Sequence, residues 1–123
     1  MTYKYLASAY TDPDPAVIQR RFEEAEHCLD YLLSRKIWTF SPIVHCHALA
    51  KKYDLPKDHL FWQEYDRAMI LASRGIIILK DGDNAWTKSK GVQDEMLFSR
   101  QLNLPIETVE RTKDEYIIER LWP

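Results

Sequence analysis

The run Ile76-Ile77-Ile78-Leu79 limits what this chain can fold into more than any other stretch. A strand with one wet face alternates apolar and polar residues, and this run does not. It suits a parallel strand covered on both faces. Such a strand needs helices on either side of its sheet, and the flanking sequence offers them in order.

Residues 3–7 form a short apolar run that predicts a first strand. Asp12-Pro13-Asp14-Pro15 follows as a helix start, because Asp caps free N–H groups and Pro is pre-shaped for the first helical position. Val17, Ile18, Phe22, Ala25, Leu29, Leu32 and Leu33 then mark one face of an amphipathic helix. Residues 37–40 read as a second strand, stopped by Ser41-Pro42, with a loop or short helix over 43–53. A further helix starts near Asp58, with Phe61, Tyr65, Ala68, Met69 and Ala72 on one face; Gly75 stands where a helix C-terminal cap belongs. Beyond the buried run, 81–88 reads as polar loop and Ser89 caps a helix over about 90–102. Residues 104–109 predict a short last strand, and 112–121 looks like a final helix.

Strands alternating with helices predict one α/β domain over residues 1–123. The expected form is a flavodoxin-like three-layer sandwich, with four or five parallel strands in the order 2-1-3-4-5. Ligands in such sheets bind beyond the carboxyl ends of the strands. The loops after Ala7, Phe40 and Leu79 are therefore where a site is expected.

Composition narrows the partners. Of 123 residues, 46% are apolar and 29% charged, with a formal net charge of -2. That balance offers no basic surface for a nucleic acid polymer or an anionic membrane. Cys28 and Cys46 form no CxxC pair, and two cysteines make no disulfide framework, so a reducing compartment is the simpler reading. The first residues are too poor in apolar side chains for a signal peptide. No apolar run approaches the ~20 residues of a membrane span. A cytoplasmic location is expected.

Three common readings of a small α/β domain fail on the residues. The glycines at 75, 82 and 91 cannot make GxGxxG, no GxxxxGK[ST] occurs, and Ala7-Ser8-Ala9 lacks the acidic residues of a receiver domain. The positive signal is Ser89-Lys90-Gly91-Val92-Gln93-Asp94-Glu95. Gly91 lets another group approach the backbone, and the helix start offers free N–H groups and positive dipole to an anion or to sugar hydroxyls. Glu95 shares a face with Val92, Ser99 and Leu102, a stripe that would desolvate it and raise its pKa. The same spacing also fits a glutamate on a solvated face. A second signal is Trp62, Asp66 and Met69, on one face of their helix. Asp66 there suits an acid or a group that holds a base, or an ordinary surface aspartate. His45-Cys46-His47 has no second ligand cluster, so no metal is expected; these histidines line the pocket mouth or cap the next helix. Tyr5, Tyr10 and Trp86 are candidates for the cleft wall.

These pieces, in this order, resemble the nucleoside 2-deoxyribosyltransferase-like superfamily over residues 5–106. Lys4-Tyr5-Leu6-Ala7-Ser8-Ala9-Tyr10 looks like its opening YLAGPY-type segment. Trp62 to Met69 followed by Gly75 to Leu79 looks like its W…D…A…strand block, and Ser89 to Glu95 like its S-x-G-x-x-x-E helix start. Ala85-Trp86 ahead of Ser89 looks closest to a compact bacterial and phage branch of unknown function. The resemblance implies that Glu95 attacks the anomeric carbon of a nucleoside, that Asp66 lies near base and sugar, and that Tyr5 positions the nucleophile. It implies that Ser89 and Gly91 contact the 5′ end of the sugar. Ser8 replaces the family's usual glycine, Ser89 stands where the transferases carry an acid, and Glu95-Met96-Leu97 lacks the glycine that follows the glutamate in the family. Serine at 89 is similar to the nucleotide N-glycosidase branch, where it faces a 5′-phosphate.

Two function classes follow as expectations: cleavage or exchange of an N-glycosidic bond through a glutamate nucleophile, or a non-catalytic nucleotide-binding or sensing module. The substrate-binding candidates are Ser8, Tyr10, His45, Trp62, Trp86, Ser89 and Gly91; the catalytic candidates are Glu95, Asp66 and Tyr5. No cofactor is called for. The partner is a small-molecule nucleoside or nucleotide. Four Trp and seven Tyr suit a homo-oligomer, since aromatic residues concentrate at interfaces, and members of the resembled family often complete the site with a neighbour's residues.

Overall fold

The computed structural model describes residues 2–56 and 58–123. Five strands and four α-helices follow one another as β1 (Lys4–Ala7), α1 (Pro15–Ser34), β2 (Thr39–Phe40), α2 (Pro42–Tyr53), α3 (His59–Leu71), β3 (Ile76–Lys80), α4 (Lys90–Gln101), β4 (Ile106–Thr112) and β5 (Glu115–Trp122). One sheet has the order β2-β1-β3-β4-β5. The first four strands are mutually parallel, and β5 pairs antiparallel with β4.

The apolar run of β3 sits at the centre of this sheet and faces two cores. Ile76 and Ile78, with Tyr5, Ala7 and Ile106, pack under Ile70 of α3 and Val92 of α4. Ile77 and Leu79, with Leu6 and Val109, pack under Cys28 and Leu32 of α1. Helices on both faces explain why β3 does not alternate: the period-2 pleat sends every second isoleucine into a different layer. Full burial of such a side chain stabilises the fold by about 1.5–3 kcal/mol.

The helix starts are as their caps imply. Asp14 accepts from Ala16 N with Pro15 in the first turn, Ser41 accepts from Val44 N with Pro42 in the first turn, and Ser89 accepts from Val92 N. Three expectations change. Residues 112–121 are a hairpin strand and not a helix, so the sheet is mixed and not wholly parallel. Gly75 does not cap α3, which ends at Leu71; it opens β3 with φ 148°, and a side chain there would stand 2.8 Å from the Pro105 carbonyl oxygen. The polar loop ahead of α4 contains a 3-10 turn at Ala85–Thr87. Among the described residues, no helix is long and apolar enough to cross a membrane.

Candidate active site

Three polar side chains from three elements meet on the side of the sheet covered by α3 and α4. Tyr5 comes from β1, Asp66 from α3 and Glu95 from α4. Neighbouring contacts accompany this meeting. Arg67 Nη2 donates to Asp94 Oδ1 at 2.6 Å, which ties α3 to α4 one residue away from both carboxyls. The Ser89 cap starts α4 so that Val92, Glu95 and Ser99 form its buried stripe. Ser99 Oγ then donates back to the Glu95 carbonyl at 2.8 Å.

The Tyr5 hydroxyl donates to Glu95 Oε2 at 2.5 Å. Tyr5 is fully buried and Glu95 is 6% exposed. Burial, and then the negative charge of Asp66, push the Glu95 carboxyl well above the ordinary range, against the Tyr5 hydrogen bond. Burial raises Asp66 to about 6, opposed in part by the nearby Glu95 and Tyr5 groups. The Tyr5 hydroxyl is raised too, by burial and then by the two carboxyls. Two acids this close do not both ionise readily, so the pair tends to keep one proton. Asp66 Oδ1 and Ser8 Oγ are buried without a protein hydrogen-bond partner among the described residues.

These groups line a cleft of about 640 Å³, a size that suits a small-molecule site. Ser8 and Tyr10 reach it from the loop after β1, Trp62 and Asp66 from α3, and Ser89, Gly91 and Glu95 from α4. Gly91 faces His59: a side chain there would stand 3.4 Å from His59 Nδ1. His59 Nε2 in turn lies 3.7 Å from Asp94 Oδ2.

Two expected wall residues lie elsewhere. His45 is exposed beside Phe40 and lines a shallower groove on the outer side of α2. Trp86 packs into the core with Tyr5, Ile78 and Val92, because the 3-10 turn directs its indole inward and leaves Ala85 and Lys88 to the cleft. Among the described residues, no group of three or more His, Cys, Asp or Glu side chains is placed to hold a metal ion.

Residues 2–111 match the family described as Domain of unknown function (DUF1937). The chain belongs to the DUF1937 family. No curated protein matches it. The DUF1937 match takes in every residue of the cleft and ends within β4, so β5 lies beyond it.

Of the two histidines expected at the pocket mouth, the DUF1937 cleft takes His47, and it adds Arg21, which the sequence did not single out. His47 is buried with its Nδ1 2.7 Å from the Tyr10 hydroxyl, and its ring stacks on Phe22 at 4.1 Å. Arg21 donates to the Thr11 carbonyl at 2.9 Å and so holds the loop after β1. A signal for His47 was available. Ser41-Pro42 is a helix start, and a helix from there turns Cys46, His47 and Ala50 to one side and His45 and Leu49 to the other.

Proposed function

We propose that this protein cleaves or exchanges the N-glycosidic bond of a nucleoside or nucleoside 5′-phosphate, with Glu95 as nucleophile. The observation that carries the reading is the 2.5 Å hydrogen bond from Tyr5 to Glu95, beside Asp66 in a ligand-sized cleft. The 2-1-3-4-5 strand order supports membership of the nucleoside 2-deoxyribosyltransferase-like superfamily and a flavodoxin-like description of the sheet, with the antiparallel β5 as a departure.

The proton shared by the two carboxyls gives the chemistry its direction. With that proton on Asp66, Glu95 is a carboxylate steadied by the Tyr5 hydroxyl. Glu95 attacks the anomeric carbon, a C–O bond forms and the C–N bond breaks. The electron pair goes to the base nitrogen, which takes the Asp66 proton. Water then attacks the glycosyl ester, Asp66 accepts the water's proton, and Glu95 leaves as carboxylate. A second base in place of water gives exchange. A covalent intermediate splits one hard step in two, and the carboxylate stabilises the oxocarbenium-like transition state. Ser89 and the Gly91 N–H, at the start of α4, would hold the 5′ end. Two free cysteines accord with a cytoplasmic setting.

A non-catalytic nucleotide-binding module is the second reading. One feature favours it: burial and the Asp66 charge raise the Glu95 carboxyl well above its ordinary range, which favours the protonated form that donates a hydrogen bond and does not attack. Incubation with a panel of nucleosides and 5′-nucleotides, reading released base, separates the two. Release by the wild type and its loss by at least about 10³-fold in Glu95→Gln is the expected result. Wild-type release by Glu95→Gln overturns the nucleophile, and no release from any substrate by the wild type leaves the binding module.

A further inference from the structure

One side of the cleft, between α2 and the start of α3, presents a largely apolar wall. Ile43, Cys46 and Ala50 stand at i, i+3 and i+7 on α2 and line the cleft with one apolar face. Trp62 and Pro56 line it from the start of α3. The indole N–H of Trp62 donates to the Pro56 carbonyl at 2.7 Å, which fixes the ring as an aromatic plate. The same ring meets Tyr65 edge-on at 5.7 Å. Cys46 Sγ is directed to the Tyr65 hydroxyl at 3.8 Å. The Tyr10 hydroxyl is bonded to His47 Nδ1 at 2.7 Å, and His47 Nε2 faces Gln19 Oε1 at 3.3 Å. Among the described residues of this wall, Trp62, Cys46, Tyr10 and His47 thus each have a protein partner for a side-chain polar atom.

A bare nucleobase is polar along most of its edge. Pressed against such walls, that edge would lose water and find no exchange partner, a penalty of the kind that buried unpaired groups incur. An apolar substituent on the base has no such edge to satisfy, while the ring face still gains from stacking on Trp62. Trp62 lies one helical turn from Asp66, so a group on the Trp62 plate is one turn from the acids.

We infer that the α2–Trp62 walls form a pocket for a heteroaromatic base carrying an apolar substituent, an alkyl or aryl group, in preference to the unsubstituted base. The inference rests on reading the cleft as a nucleoside site, but its test does not depend on turnover. Calorimetry would compare two matched pairs of free bases on the whole protein: adenine with N6-benzyladenine, and uracil with 5-benzyluracil. The substituted member of at least one pair is expected to bind about tenfold tighter or better, as one good aromatic contact allows. Trp62→Phe keeps that preference and Trp62→Ala reduces it to less than about threefold, with the circular dichroism of both variants matching wild type. Equal or weaker binding of both substituted bases overturns the inference. So does a preference that survives intact in Trp62→Ala. A protein that shows the preference but releases no base from any nucleoside would uphold the pocket and refute the catalysis; one that cleaves nucleosides but shows no preference would do the reverse.

Discussion

A glutamate that is 6% exposed and hydrogen-bonded to a fully buried tyrosine holds its proton far more tightly than one in water. Asp66 beside it is raised from 3.8 to about 6, chiefly by burial. Both carboxyls thus bind protons more strongly in the native chain than in the unfolded one. Their contribution is fully present below the ordinary carboxyl range and is lost as pH rises through the raised values, so stability falls across that window. Removing the charge should therefore stabilise. Asp66→Asn is expected to gain on the order of 2 kcal/mol at pH 8 and close to nothing at pH 4, measured by chemical denaturation. A gain of equal size at both pH values would show that ionisation is not its source. Activity should show the opposite sensitivity. The proposed reaction needs one proton on the pair, so the rate is expected to fall on the alkaline side as that proton is lost, and Asp66→Asn should be slow at every pH.

At the scale of elements, two joints explain where the chain departs from expectation. Gly75 leads into β3 at φ 148°, with the Pro105 carbonyl 2.8 Å from where a side chain would begin. The strain and the clash act together on the central strand, and Gly75→Ala is expected to cost on the order of 2–3 kcal/mol in a denaturant titration. Retention of wild-type stability would mean that β3 and β4 can shift apart there. The second joint is the turn between Thr112 and Glu115, where Lys113 takes φ 34°. Two-residue hairpin turns usually advertise themselves with Gly or Asn, and Lys113-Asp114 does not. The two Glu, the Arg and the Leu among the following residues favour helix intrinsically. What overrides it is Tyr116 and Ile118 packing onto the Val109 core, with the β4 backbone edge available for pairing.

For the whole molecule, the residues left outside the core are informative. Leu49, Tyr53, Leu60 and Phe61, from α2 and the start of α3, are 52%, 62%, 76% and 48% exposed. Leu49 and Phe61 line the shallow groove with Leu55 and Tyr65. An apolar face of this kind is the surface we propose for a homo-oligomer, consistent with the many aromatic residues of the chain. Sedimentation at micromolar concentration is expected to give a dimer or larger, and Leu49→Glu with Phe61→Glu to give a monomer. A monomeric wild type would remove the proposal.

The sequence by itself determined the elements whose signals are local. The aliphatic run of β3, the Asp14-Pro15 helix start and the Ser89 cap each work through neighbours in the chain, so their positions could be read directly. The spacing of Val92, Glu95 and Ser99 fitted a buried Glu95 and a solvated one equally, and packing of α4 on the sheet decided for burial. Other features needed the packed molecule. Glu95 met Asp66 only once α3 and α4 packed side by side, a contact between helices that the Arg67–Asp94 pair also bridges. Whether His45 or His47 faced the cleft depended on where α2 began, and Trp86 turned inward with a 3-10 turn that polar loop residues do not announce. The identity of β5 was decided by the sheet edge it pairs with, a partner that lies across a turn and whose pull no local propensity records.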